Sequence, residues 1–201
     1  MSGTVYIVDD DEAVRRSLDD ILCAEGLAVR AFDSAEALLS ACDAQSEGCI
    51  VLDIRLPGMD GMQTQAKLTE RGVEMPIIFL TGHGEVQMSV RAMKAGAYDF
   101  LQKPVPADIL LGRVNNALLL DRRRHERRTE IATARELLAR LSSREQEVFN
   151  HLLQGASSKE IAKQLGLSPR TVDVHRQNIL IKCRASSLLE LSHLHHLCNI
   201  D

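Results

Sequence analysis

VLDIRLPGMDG, residues 51–61, decides how this chain folds. It opens as a short apolar run, closes that run on an acid, Asp53, and then turns through Pro57 and Gly58. A run of that length bounded by turn residues reads as a buried strand, because a helix needs more residues to form. Similar runs occur at Val5 to Val8, Ala28 to Phe32, Ile77 to Leu80 and Asp99 to Leu101. Between them, apolar residues recur three or four apart, as in Val14, Leu18, Ile21, Leu22 and in Val86, Val90, Met93. That period predicts amphipathic helices, one of them over Glu85 to Lys94. The repeated alternation predicts an α/β fold, a five-stranded, doubly wound parallel sheet covered on both faces. Ligands of such sheets collect outside the carboxyl ends of the strands, so those ends are the informative positions.

The first strand ends in Asp9, Asp10 and Asp11, the third in Asp53, the fourth in Thr81 and the fifth in Lys103 before Pro104. Taken singly, an Asp after a strand is an N-cap, a Lys before Pro faces solvent and a Thr closes a turn. Their joint arrival at one rim argues for chemistry. Clustered carboxylates repel one another, and a hard divalent cation bound through oxygen holds them ionised. Mg2+ fits best, because it takes one or two carboxylates, keeps several waters and accepts phosphate oxygens. A lysine ammonium and a threonine hydroxyl can then receive phosphoryl oxygens, and one carboxylate can act as nucleophile to form an aspartyl phosphate.

IVDDD, VLDIRLPGMDG, FLTGHG and GAYDFLQKP together resemble the successive signatures of the response-regulator receiver domain, a flavodoxin-like fold, over roughly residues 3–120. The resemblance implies Asp53 as phosphoacceptor, Asp10 as a direct metal ligand with Asp9 acting partly through water, and the backbone carbonyl of Arg55 as a third protein ligand. It implies Thr81 and Lys103 as the phosphoryl-sensing pair and a cis Lys103–Pro104 bond. It also implies an aromatic switch, here Phe100 in place of the tyrosine of many relatives, and dimerisation through the Glu85–Lys94 helix, the fifth strand and the helix after Pro106. Arg55 and His83 flank the site, where side chains can obstruct or orient a hydrolytic water; His83 reads as a loop residue between two glycines more readily than as a base.

After Leu141, SSREQEVFNHLLQG opens on a Ser N-cap and closes on Gly155. SSKEIAKQLG gives a second helix, GLS a turn, and PRTVDVHRQNILIKC a third helix with Pro at its first position. Two helices joined by a brief glycine-containing turn form a helix-turn-helix. At 100° per residue, Val172, His175, Ile179 and Cys183 face inward, with His175 a hydrogen-bonded core histidine, while Asp173, Val174, Gln177, Ile181 and Arg184 face outward. Arg170, Thr171, Arg176 and Lys182 are left to meet phosphates, and residues 168–184 carry net +3. The wording from Leu141 to Cys183 resembles the LuxR/NarL-type DNA-binding domain, and with the first half it resembles response regulators of the FixJ/StyR type. By that resemblance the third helix enters the major groove and the fourth, from Leu188, supports dimerisation. Asp173 is an acid on the reading face, able to accept from a cytosine amino group, to repel wrong sequences or simply to be solvated. His193, His195 and His196 read as surface histidines rather than metal ligands.

Composition sets the outer bounds. The 201 residues are 45% hydrophobic and 26% charged, ordinary globular values that exclude fibrous and disordered classes. No apolar run reaches membrane-spanning length and no leader pattern opens the chain, so the expectation is a cytoplasmic protein without membrane contact. Five scattered cysteines form no CxxC pair, which argues against a disulfide framework or zinc knuckle. Aromatic residues at 3% with no Trp argue against a stacking platform for single strands. Residues 1–120 carry 10 Lys/Arg against 18 Asp/Glu, a net −8, and residues 121–201 carry 14 against 10, a net +4. That asymmetry predicts a cation-binding module at 1–120 and a polyanion-binding module at 141–201. Between them, 121–140 lacks Gly and Pro and carries the run Arg122 to Arg128, predicting a helical linker with Leu118, Ile131, Leu138 and Leu141 available for self-association or else simply a solvated helix.

The leading expectation is a two-component transcription factor, not an enzyme: a sensor histidine kinase phosphorylates Asp53 with Mg2+, a homodimer forms, and it engages double-stranded DNA and RNA polymerase. A phosphatase of the aspartyl-phosphate class is disfavoured because Arg55 stands two positions after Asp53, where a second Asp would be needed as general acid. A phosphorylation-independent dimerisation module is disfavoured because every charged site residue is present.

Overall fold

The computed structural model describes residues 3–82 and 86–199, apart from the side chains of 86–89, and divides into two compact units, Met1–His125 and Glu126–Asp201. His83 and Glu85 lie outside the described residues.

In the first unit the chain runs β1 (Thr4–Val8), α1 (Glu12–Ala24), β2 (Ala28–Phe32), α2 (Ala35–Ala41), β3 (Gly48–Asp53), α3 (Gly61–Glu70), β4 (Ile77–Thr81), α4 (Val86–Lys94), β5 (Asp99–Gln102) and into α5 (Ala107–Ala139). The sheet order is β2-β1-β3-β4-β5 with every pair parallel. Side-chain alternation sorts the strands between two apolar layers. Val5, Ile7, Val51, Ile78 and Leu80 pack with Leu18 and Leu22 of α1 and Leu110 and Val114 of α5. Tyr6, Val8, Ile50, Leu52 and Phe79 pack with Leu38 of α2 and Leu68 of α3. Strand β3 is buried along its whole length, which is why its sequence reads as a continuous apolar run rather than an alternating one. Between β1 and β2, Tyr6 stacks on Phe32 with ring centroids 6.4 Å apart, and the Arg30 guanidinium covers both rings.

Local contacts fix where the elements start. Asp11 caps α1, its Oδ1 accepting from the Ala13 N–H at 2.8 Å and the Val14 N–H at 3.4 Å. Helix α3 opens on a reciprocal capping box between Asp60 and Gln63. A Cβ on Gly61 would sit 2.5 Å from the Asp53 carbonyl oxygen, so only glycine lets α3 begin against the end of β3. At the opposite end of β3, a Cβ on Gly48 would meet the Thr4 carbonyl at 1.9 Å, and the Gly48 N–H donates to buried Asp121 Oδ2 of α5 at 2.8 Å.

Helix α5 continues through residues 121–139 without a break. Its apolar positions, which the sequence left either to self-association or to a solvated face, are mostly packed within the units. Leu118 is buried in a layer of the sheet unit, Leu141 is buried in the second unit with Leu138 packed against it, and Ile131 is half-buried. Core packing within the units has taken up Leu118, Leu138 and Leu141, and Ile131 stays partly open.

The second unit contains α6 (Ser143–Leu153), α7 (Ser158–Leu165), α8 (Pro169–Lys182) and α9 (Leu188–Cys198). Ser142 with Glu145 and Ser157 with Glu160 form capping boxes, and Ser168 caps α8 ahead of Pro169. Gly166, at φ 67°, closes α7 and turns the chain into α8. The core joins Val148, Phe149 and Leu152 of α6, Ile161 of α7, Val172, Ile179 and Cys183 around α8, and Leu191 of α9.

Candidate functional site

Sheet register assembles the rim. Val8 lies beside Leu52 and Leu80 beside Asp53, so Asp9 emerges next to Asp53. Thr81 lies beside Gln102, which brings Lys103 out one residue beyond. Carboxylate oxygens of Asp9, Asp10 and Asp53 fall within 4.8 Å of one another. Asp9 is fully buried, Asp53 nearly so and Asp10 exposed, which leaves the cluster reachable from one side. The Lys103 ammonium sits 2.6 Å from Asp9 Oδ2 and 2.5 Å from Asp53 Oδ2, and the Lys103–Pro104 peptide is cis.

The remaining lone pairs are held by backbone. Asp9 Oδ1 accepts from the Asp11 N–H and Asp53 Oδ1 from the Arg55 N–H, each at 3.0 Å. Arg15 donates to the Asp9 carbonyl at 2.6 Å. Burial raises the Asp9 pKa above the usual carboxylate range, an effect that the Lys103 and Asp11 hydrogen bonds only partly offset. Burial also opposes the Lys103 charge, but its hydrogen bonds to Asp53 and Asp9 outweigh that and hold its pKa above the ordinary lysine value. The ammonium therefore supplies part of the positive charge that three clustered acids require. An all-oxygen donor set of this spacing, open on one side, fits Mg2+. Asp11, the third acid at the end of β1, is engaged instead in capping α1.

Thr81 is buried and its hydroxyl donates to the Gly82 carbonyl at 3.1 Å. Phe100 lies on the outward side of β5 and is 43% exposed, so it is not a core residue here. The Arg55 side chain is exposed beside Asp53. A cleft of about 560 Å³, lined mainly by apolar side chains including Val14, Ile21, Pro104 and Val105, ends at Lys103.

On α8, Arg170, Asp173, Val174 and Gln177 are exposed, whereas Thr171 and Arg176 are half-buried. The Thr171 N–H and hydroxyl both engage Ser168 at the cap. Lys182, expected at a phosphate, is paired within the unit. Its ammonium lies 2.6 Å from Oε2 of buried Glu145 on α6, and that hydrogen bond, helped by the Ser142 N–H and hydroxyl, drives the Glu145 pKa down to about 2. His175 is half-buried, but its Nδ1 has no hydrogen-bond partner among the described residues, so it is not the hydrogen-bonded histidine that the sequence suggested. His195 packs edge-on against Phe149 at 5.7 Å and contacts Asn199. Among the described residues, the acid cluster at the sheet edge is the one group with metal-ligand spacing.

The family model for the response regulator receiver domain matches residues 5–115, and that for bacterial regulatory proteins of the luxR family matches 139–195. The chain belongs to the response regulators. It is similar to the transcriptional regulatory protein TdiR of Thauera aromatica, with 45% identity over 96% of this chain and 85% of that one. It is also similar to FixJ of Bradyrhizobium diazoefficiens, with 40% identity over 96% and 94%. The solved structure of the response regulator StyR aligns at TM-score 0.91 with 40% identity, covering 98% of this chain and 99% of that one. This response regulator is thus a two-component transcription regulator with a luxR-type DNA-binding domain, not a phosphatase.

Sequence reasoning missed three long-range polar contacts of the response regulator. The doubled serine at 157–158 hints at the first: Ser157 caps α7, which frees Ser158 to donate to Asp173 Oδ1 at 2.7 Å. The capping box at Ser142 was legible, but not that its Glu145 reaches Lys182, 37 residues away. Asp121 reads locally as one more helix acid, and nothing nearby signals its tie to Gly48.

Proposed function

We propose that a sensor histidine kinase transfers a phosphoryl group to Asp53, and that the phosphorylated chain dimerises and binds duplex DNA to recruit or block RNA polymerase in the cytoplasm. The observation that carries this reading is the Lys103 ammonium in contact with both Asp9 and Asp53, with Asp10 beside them. An Asp53 carboxylate oxygen attacks phosphorus, the O–P bond forms and the P–N bond to the kinase histidine breaks. Asp9, Asp10, Asp53 and the Arg55 carbonyl would hold Mg2+, which supplies charge neutralisation on the phosphoryl oxygens. Lys103 leaves Asp53 Oδ2 to pair with one phosphoryl oxygen, and the Thr81 hydroxyl leaves the Gly82 carbonyl to donate to another.

Movement of Thr81 opens space behind β4 for Phe100, whose inward rotamer is held by packing because it has no hydroxyl. Val90, Met93, Phe100 and Ile109 are each more than 40% exposed, an apolar set on α4, β5 and α5 that suits contact with a second copy. The apolar cleft ending at Lys103 suits a kinase helix delivering its phosphohistidine next to Asp53. In the second domain, α8 enters the major groove, with Arg170, Thr171, Arg176 and Lys182 at phosphates and Val174 and Gln177 towards bases.

The decisive experiment is phosphoryl incorporation from acetyl phosphate and Mg2+, read on phosphate-affinity gels alongside light scattering. Wild type should become labelled and shift to dimer, and Asp53→Asn should do neither. Equal labelling of the two proteins would refute the acceptor, and labelling without dimer formation would favour a front half that pairs independently of phosphorylation.

A further inference from the structure

Asp173 is an acid on a helix whose surroundings are net positive and whose partner is a polyanion, so its presence there asks for a reason. The contacts supply one. Asp173 does not touch Arg176, one turn along the same face of α8. The two are joined through Ser158, the first residue of α7: its hydroxyl donates to Asp173 Oδ1 at 2.7 Å and accepts from Arg176 Nη1 at 3.1 Å. The hydroxyl can serve both because Ser157, not Ser158, caps α7. A hydroxyl that donates to a carboxylate becomes a better acceptor for a guanidinium, so the two bonds strengthen each other.

We propose that Asp173 and Ser158 are positioning residues that hold the Arg176 guanidinium in one pose for a DNA phosphate, and that Asp173 reads no base. This rests on the DNA-binding reading of α8 and assigns the arrangement of that same surface. An arginine free on the surface loses much rotamer freedom when it docks. Ser158 ties Arg176 down beforehand, and it does so from α7, so the same bonds fix α8 against its neighbour in the helix-turn-helix. Asp173, directed at Ser158, is engaged before DNA arrives.

The test is a double-mutant cycle on the full chain, with fluorescence anisotropy of a labelled 30-base-pair duplex of random sequence titrated across salt. Ser158→Ala should weaken binding by roughly three- to tenfold and flatten the salt dependence by about one counterion, the effect also expected of Arg176→Ala. In the Arg176→Ala background, Ser158→Ala should cost nothing further. Ser158→Thr keeps the hydroxyl and should restore wild-type binding. Asp173→Asn keeps an acceptor while removing a negative charge from the DNA face, so it should bind uniformly tighter, whereas Asp173→Ala, which removes the same charge and also the acceptor, should bind more weakly than Asp173→Asn. Additive losses in the cycle, or no loss from Ser158→Ala, would overturn the inference while leaving DNA binding intact. Failure of the wild-type chain to bind duplex at low salt would instead remove the DNA-binding reading itself, and this inference with it.

Discussion

Replacing Glu145 by glutamine should loosen the helix-turn-helix unit in a way that depends on pH. Glutamine preserves the side-chain volume and the capping-box acceptor, so the change isolates the charge facing Lys182. The folded-state pKa of Glu145 is about 2 against an ordinary 4.5. At about 1.4 kcal/mol per unit, that displacement sets an upper bound of roughly 3.4 kcal/mol. Lys182 is 40% exposed, so solvent screening reduces the expected loss to on the order of 1–2 kcal/mol. Because the folded pKa is depressed, the contribution is fully present above pH 4.5 and disappears as pH falls through about 2. By pH 3 it should be roughly two fifths of its neutral value. Hydrogen exchange of the α6 and α8 amides measures this locally, without assuming that the two units unfold together. At neutral pH, Glu145→Gln should exchange about five to thirty times faster than wild type, and the gap should narrow steadily between pH 4.5 and 3. A gap of constant size across that range would mean that packing, not the ion pair, holds α8 to α6, and would refute the reasoning.

Two further outcomes test the receiver. Lys103→Met removes an ammonium that shares oxygens of Asp9 and Asp53 with the cation site, so calorimetric Mg2+ affinity should rise several-fold; weaker Mg2+ binding would sink the idea of competition for the same atoms. Asp121→Ala leaves the buried Gly48 N–H without its acceptor, at a cost of about 1–3 kcal/mol, and should accelerate amide exchange across β1 and β3; unchanged protection there would show that the α5 contact is dispensable.

Most of the receiver was legible because its information is local. Alternating strand and helix periods gave the sheet, and strand-end residues gave Asp9, Asp10, Asp53, Thr81 and Lys103, since a parallel sheet brings those ends to one rim whatever the loops do. Gly61 shows the same economy: its close approach to the Asp53 carbonyl explains why a glycine follows Asp60. What escaped was long-range and polar. Glu145 with Lys182, Asp121 with Gly48 and Ser158 with Asp173 each join distant positions through one hydrogen bond, and such pairs leave no periodicity to read. The same limitation hid the burial of Leu118 and Leu141 and the pairing of Lys182 with Glu145, because sequence shows that a residue is charged or apolar but not which neighbour it meets.

The stack of Tyr6 on Phe32 has a practical consequence. Tyr6 and Tyr98 are the chain's two tyrosines, both lie in the first unit, and tryptophan is absent. Tyrosine emission from this protein is therefore a private channel of the receiver: it does not follow melting of the helix-turn-helix unit directly, while Tyr98, two positions before Phe100, is a built-in reporter at the entry to β5.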